Sequence, residues 1–377
     1  MKIGIITIHC SPSYGGSLQA FALYKYLEQQ GHDTEVIDLL RPTHSEYRHS
    51  IWHFRLRENL ISKILCVIQG VLHFNMKGSK GKRYNEKFDE FNKMIKLGKT
   101  YQSVDELYRH PPRYDVYMTG SDQVWNPIQP YITEPYFLTF VSKKDGRKIA
   151  YAASVGLSEL SQKEKKLYKK WIEDYDYVAV REQSLKTYLD KFVNKPIFRV
   201  ADPTFLLDRN YWKKIASYPN EKQPYILLFE LRHNRDLILF CRRLSEQSGI
   251  KLIVLGQSEP DNHHFDYDVV NTAGPKEFLG YIGNAEMVIT DSFHGTVFSI
   301  IMEAKNFYSY IAPGNKKGNR ITDLLIQHRA KDHLLVPDLK QTWSELFNNH
   351  LRKDKLDACY LAEQKLSWEF LNKSLQK

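Results

Sequence analysis

A histidine at the junction of a strand and a helix can exchange protons beside a bound anion, and this sequence contains one. The apolar run Met287–Thr290 passes through Asp291 and Ser292 into Phe293, His294, Gly295 and Thr296. Read as strand, polar turn and helix, the stretch aims free amides and the positive end of a helix dipole at one point, which suits a phosphate or carboxylate. His294 adds the side chain that titrates near neutrality. The same residues also fit a plainer structure, in which Asp291 or Ser292 caps the helix and His294 packs.

Other polar groups end short apolar runs. Gly120-Ser121-Asp122-Gln123-Val124-Trp125-Asn126-Pro127 follows the run 115–118 and offers one wall of a sugar site, with Trp125 stacking on a pyranose or, alternatively, filling core. Ser154 follows 148–153, Arg181-Glu182 follows Tyr177–Val180, and Asp202-Pro203 follows 198–200. Arg181-Glu182 reads either as an anion-binding guanidinium or as an ion pair opening a helix, and Asp202-Pro203 as a site residue or a turn at a domain crossover. Arg232 ends the run 225–231, and Tyr14-Gly15 with Gln19 opens the first helix, as an acceptor contact or as a tight turn.

These groups need a scaffold of buried parallel strands, and the hydrophobic pattern supplies it. Strand 3–8, helix 17–30 and strand 34–39 form a βαβ opening in which Gly15-Gly16 lies in the loop. The glycines do not follow GxGxxG, so no nicotinamide cofactor is expected. A second alternation has strands at 225–231, Lys251–Leu255, Met287–Thr290 and 307–311. Its helices fall after 231 up to Gly249 and at 275–283, 294–304 and Asn319–Gln327. The fold class expected is α/β, two Rossmann-like domains facing a central cleft at the carboxyl ends of their strands, a GT-B-like arrangement. The expected divisions are 1–208 for the acceptor side, with a basic insert at 41–100, and 209–340 for the donor side. Residues 341–377 should pack back as a helix.

The 377 residues are 42% hydrophobic and 26% charged, with a mean hydropathy of -0.49, which excludes disordered and membrane-spanning classes. The apolar run 3–8 is short for a signal peptide, so no export is expected. Cys10, Cys66, Cys241 and Cys359 lack CxxC spacing, and His9, His263 and His264 have no liganding pattern. Neither disulfides nor a metal site is expected, and a reducing cytoplasm fits. The net charge of +10 favours anionic partners, and residues 41–100 concentrate it with thirteen Lys and Arg against five acids. No RNA-binding motif accompanies that segment, so no nucleic acid is expected. Apolar residues at near-helical spacing from 60 to 74 suit a peripheral contact at the inner face of a membrane, or a cap helix on the first domain.

Taken in order, Gly120 to Pro127, Tyr151-Ala152-Ala153-Ser154, Val180-Arg181-Glu182, Asp202-Pro203-Thr204 and Thr290-Asp291-Ser292-Phe293-His294-Gly295 resemble the polysaccharide pyruvyl transferase family. The resemblance implies phosphoenolpyruvate as co-substrate, no cofactor, and a pyruvate ketal on two hydroxyls of a sugar, free or lipid-linked. It implies that His294 is catalytic or donor-binding. Ketal chemistry then calls for a carboxylate that takes protons from the sugar, for which Asp122, Asp202 or Asp291 is placed, with Asp122 and Asp291 assigned to catalysis beside His294. One branch of the family has an Arg two places before this His, where Ser292 stands here. Donor anions then require Arg181, Arg232, Lys317, Asn319 and Arg320, together with the Ser292 and Gly295 turn. Tyr14, Gly15, Gln19, Trp125 and Asp202 remain for the acceptor. A nucleotide-sugar glycosyltransferase of GT-B fold is the alternative, since the same turn would hold a diphosphate.

Overall fold

Strands buried on both faces read as apolar runs, and such runs form the middle of both sheets here, paired in parallel. A computed structural model describes residues 1–72, 86–256, 267–315 and 319–376. Its first sheet comprises β1 (Lys2–Ile6), β2 (Asp33–Leu39), β3 (Leu97–Tyr101), β4 (Val116–Thr119), β5 (Arg147–Ala153), β6 (Tyr177–Val180) and β7 (Ile197–Arg199). They run parallel in the order β3-β2-β1-β4-β5-β6-β7. The second sheet comprises β8 (Tyr225–Phe229), β9 (Lys251–Leu255), β10 (Asp268–Val270), β11 (Met287–Thr290) and β12 (Phe307–Ser309), ordered β10-β9-β8-β11-β12. Each sheet reverses its winding once, at β1/β4 and at β8/β11. Ligand crevices open at such reversals, outside the carboxyl ends of the strands.

Two strands have no counterpart in the hydrophobic pattern. Both β3 and β10 are edge strands with mostly exposed or half-buried side chains, so burial leaves little mark on them. The first helix begins earlier than the glycine pair suggests. It spans Tyr14–Gln29, because the Ser13 hydroxyl accepts the Gly16 amide at 3.4 Å and draws Gly15 and Gly16 into its first turn. The terminal stretch is two helices, Trp343–Asn348 and Lys353–Leu375.

The long terminal helix crosses back to the first sheet. Arg199 pairs with Glu363, Ser367 accepts the Ala201 amide at 3.0 Å, and the Gln364 amide donates to the Phe205 carbonyl at 3.0 Å. No helix among the described residues is long and apolar enough to cross a membrane.

Candidate active site

The carboxyl ends of both sheets converge on one buried cluster. From the first sheet come Ser121 and Asp122 after β4, Ser154 after β5, Arg181 and Glu182 after β6, and Asp202 after β7. Strand β5 shifts register between Ala150 and Ala153, with Ala152 in the left-handed region at φ 55°. Bulges of this kind re-aim the residues that follow. Here the Ser154 hydroxyl reaches Glu182 at 2.9 Å. Asp122 is also left-handed at φ 71°, which Asp tolerates better than most residues, and its carboxylate accepts the Gln123 amide at 2.8 Å.

Arg181 and Asp202 form the centre of the cluster. Arg181 Nη1 donates to Asp202 Oδ2 at 2.7 Å and its Nε to Glu182 Oε1 at 3.1 Å. The other Asp202 oxygen accepts from the Thr204 amide and hydroxyl at 3.1 and 2.8 Å. Asp202 is therefore both the cap of the turn Pro203–Phe205 and a member of the site. Burial opposes charge on Arg181, yet Glu182, Asp202 and Asp122 hold its guanidinium above the ordinary range. Arg320 approaches the same ring, that of Phe293, which is 4.1 Å from the Arg181 guanidinium and 5.7 Å from that of Arg320. Burial and the neighbouring Arg181 push Arg320 down. Two guanidinium groups sharing one aromatic ring repel each other, and an anion between them would relieve the repulsion.

His294 enters from the second sheet, on the helix Phe293–Ile301. It is 8% exposed, and its Nε2 lies 3.4 Å from Asp202 Oδ2, close enough for an ion pair but out of line for a hydrogen bond. Burial alone would raise Asp202, but His294 and Arg181 outweigh it and hold the carboxyl well below the usual carboxylate range. Asp202 is thus a poor proton acceptor and a good countercharge. Gly15, from the first helix, packs against the imidazole so closely that a Cβ there would overlap the ring. Four buried polar atoms of the cluster have no hydrogen-bond partner: Arg181 Nη2, Glu182 Oε2, His294 Nε2 and Arg320 Nε. Buried polar groups are nearly always bonded, so leftover valences gathered at one cleft point to a ligand site.

Of the residues singled out in the sequence, the structure brings together His294, Arg181, Asp202, Asp122, Arg320 and Gly15. Asp291 faces elsewhere: its carboxylate accepts the Leu231 amide at 2.8 Å, and burial, with Glu230 nearby, pushes it up to about 6. Arg232 is exposed at the end of β8 and acts on Asp291. Ser292 caps the helix, its hydroxyl accepting the Gly295 amide at 3.2 Å, and Gly295 admits Thr290 and Phe229 where a Cβ would clash. These two residues build the turn, and the capped Gly295 amide is spent within it. Asn319 is exposed and lines a cavity of about 70 Å³ with Arg320 and Glu182. Lys317 lies outside the described residues, as do His263 and His264.

Three acceptor assignments are corrected. Trp125 is fully buried, stacked on Phe137 at 4.8 Å with its Nε1 donating to the Tyr136 carbonyl, so it is core and offers no face to a sugar. Gln19 is fully buried, its amide spent on Thr7, Ile8 and Gly16. Tyr14 stacks on Phe278 at 4.6 Å and donates to the Ala273 carbonyl at 3.0 Å, pinning the first helix to the second sheet's helices. Glu182, Ser121, Ser154 and Phe293 also belong to the cluster, each beside a strand end whose neighbouring residue carries the signal in the sequence. Among the described residues, no three His, Cys, Asp or Glu side chains gather as a metal ion would need.

A family model described as polysaccharide pyruvyl transferase matches residues 14–308. No curated protein matches the chain. Among solved structures, UDP-N-acetylglucosamine 2-epimerase from Rickettsia bellii is similar at TM-score 0.55 and 10% identity, over 99% of this chain and 95% of that one. The UDP-GlcNAc 2-epimerase of Methanocaldococcus jannaschii gives 0.51 and 14%, over 96% and 99%. A glycotransferase of kitacinnamycin gives 0.52 and 10%, over 100% and 99%. At these identities the likeness establishes the two-domain GT-B fold and leaves chemistry open.

Proposed function

The chain belongs to the polysaccharide pyruvyl transferase family, and from that premise we propose that it moves pyruvate from phosphoenolpyruvate onto two hydroxyls of a sugar as a ketal. The observation that carries the reading is the buried group of Arg181, Arg320 and His294 with unspent polar valences at one cleft. Phosphoenolpyruvate brings a phosphate and a carboxylate, and two guanidinium groups with spare N–H donors suit that pair. Asn319, exposed and lining a cavity with Arg320 and Glu182, would assist donor entry, and Arg232 is proposed to do so from the exposed end of β8.

Ketal formation begins with a proton delivered to the methylene carbon, leaving positive charge at the carbon that bears the phosphate. His294 is proposed as that acid. Asp202 stays ionised beside it as a countercharge. A sugar hydroxyl then adds to the cationic carbon and gives up its proton. Asp122 is the carboxylate proposed to accept it, since Asp202 is held by two cations and Asp291 faces Glu230. The carbon–oxygen bond to phosphate next breaks, with the pair leaving on phosphate, and a second hydroxyl closes the ring. Its proton goes to the released phosphate, and Asp122 loses the proton of the first hydroxyl to solvent, which returns one to His294, so protons balance.

The acceptor is proposed to be a sugar of a polysaccharide or of its lipid-linked precursor, handled in the cytoplasm, with no cofactor and no metal. The test is incubation with phosphoenolpyruvate and glycan intermediates, following free phosphate and the mass gain of one ketal, with and without a chelator. Phosphate release without a pyruvylated product would overturn the reading, and activity lost to chelator and restored by magnesium would overturn its metal independence.

A further inference from the structure

The helix Leu60–Val71 buries none of its residues. Leu60, Ile61, Ile64, Leu65, Ile68 and Val71 are 41% to 73% exposed, and their spacing of three and four gathers them on one stripe. Trp52, in the coil leading to the helix, is 76% exposed. A continuous apolar stripe on a water-exposed helix marks an interaction surface. Twelve residues extend about 18 Å, too little for a hydrocarbon core of about 30 Å, so such a helix can lie on a bilayer and not span it.

We propose that this stripe seats the protein on the anionic surface of a lipid bilayer. Charge selects that occupant over a second copy of the chain. Lys63 is the helix's sole charged residue; of the four arginines in 41–72, Arg41 is buried and Arg55 and Arg57 pair with Glu58 and Glu164, so Lys63 and the exposed Arg48 carry the surplus at this face, in a chain of net charge +10. Docking stripe to stripe would bring two such charges together, whereas anionic headgroups gain from each basic residue near the surface. The opposite side of the helix leads inward. Through Ser62, Cys66 and Gln69, with Leu65 at the border of the stripe, it closes a cavity of about 220 Å³ shared with His53 and Tyr131. The Tyr131 hydroxyl donates to the Gln123 carbonyl at 3.4 Å, and the Gln123 amide reaches both terminal nitrogens of Arg320, at 3.2 and 3.3 Å, when its oxygen is turned toward them. A lipid-linked sugar would thus meet the cavity between the bilayer and the catalytic cluster. That use rests on the pyruvyl-transfer reading, while the membrane contact itself does not.

The full chain is tested by flotation with phosphatidylcholine vesicles, with and without phosphatidylglycerol, at low and high salt. The unsubstituted protein and the pair Ile64→Val/Ile68→Val should float with the anionic vesicles, and about tenfold less with neutral vesicles or in high salt. The pair Ile64→Asp/Ile68→Asp, on exposed positions, should stay folded by circular dichroism and lose about tenfold or more of the binding. Absence of flotation overturns the proposal. So does sedimentation showing a dimer that the Asp pair dissociates, since the stripe would then belong to a second copy. Flotation requires neither donor nor acceptor, so its failure and a failed transfer assay are separate results.

Discussion

At the scale of single residues, the site is an imidazole held in a cage of opposed charges. Replacing His294 by Gln keeps the volume and removes the acid, so turnover should fall by about 10²-fold or more while donor affinity falls less, because the arginines remain. Steady-state kinetics on protein with an unchanged circular dichroism spectrum checks this, and a rate near that of the parent would sink the proposed mechanism. Asp202→Asn removes the countercharge and leaves Arg181 with Glu182 alone. Breaking a buried pair costs about 3–5 kcal/mol, read as a lowered denaturation midpoint at neutral pH. The acidity of Asp202 is greater folded than unfolded, where its pKa is about 3.9. Its contribution is therefore complete above that pH and drains away as pH falls through the lower folded value. The stability gap between parent and Asp202→Asn should accordingly narrow in acid below about pH 4. A gap independent of pH would show that the loss does not come from the ionised carboxylate.

Among elements, the decisive contact is between two helices, Tyr14–Gln29 and Phe293–Ile301, which belong to different sheets. Gly15 lets the first helix touch the imidazole that the second one carries. Gly15→Ala should displace His294 and lower turnover by about tenfold or more, with a smaller change in stability. At Gly16 the nearest atom to an added Cβ is 3.5 Å away, ordinary contact, so Gly16→Ala should retain activity. Equal losses in both variants would mean that the helix start, and not the approach to His294, is what matters.

For the molecule as a whole, the helix Lys353–Leu375 acts as a strap from the end of the chain to the first sheet. Phe370, 6% exposed, lies 5.6 Å from Phe198 on β7 and 6.3 Å from Tyr151 on β5. Phe370→Ala should cost about 3–5 kcal/mol, in line with other buried aromatic truncations. Denaturant unfolding followed by tryptophan fluorescence would measure it, and a loss under about 1 kcal/mol would show the strap to be loosely packed.

The sequence by itself determined the two alternating α/β units and the motifs that end their strands, because a strand buried on both faces must be apolar throughout and the chain must turn polar where it leaves the sheet. His294, Arg181, Asp202 and Asp122 were all legible in this way. The edge strands β3 and β10 were not, since half of such a strand faces water. Only the tertiary structure decided which carboxylate meets the histidine. Asp291 is three residues from His294 in the chain, yet it turns to the Leu231 amide, while Asp202 arrives from another sheet to within 3.4 Å. Local pattern likewise could not tell that Trp125, Gln19 and Tyr14 point inward, because polar handles on buried side chains find their partners only once distant segments close around them. Hydrophobic periodicity records how much of each residue is covered. Which residue covers it is decided where the two sheets meet.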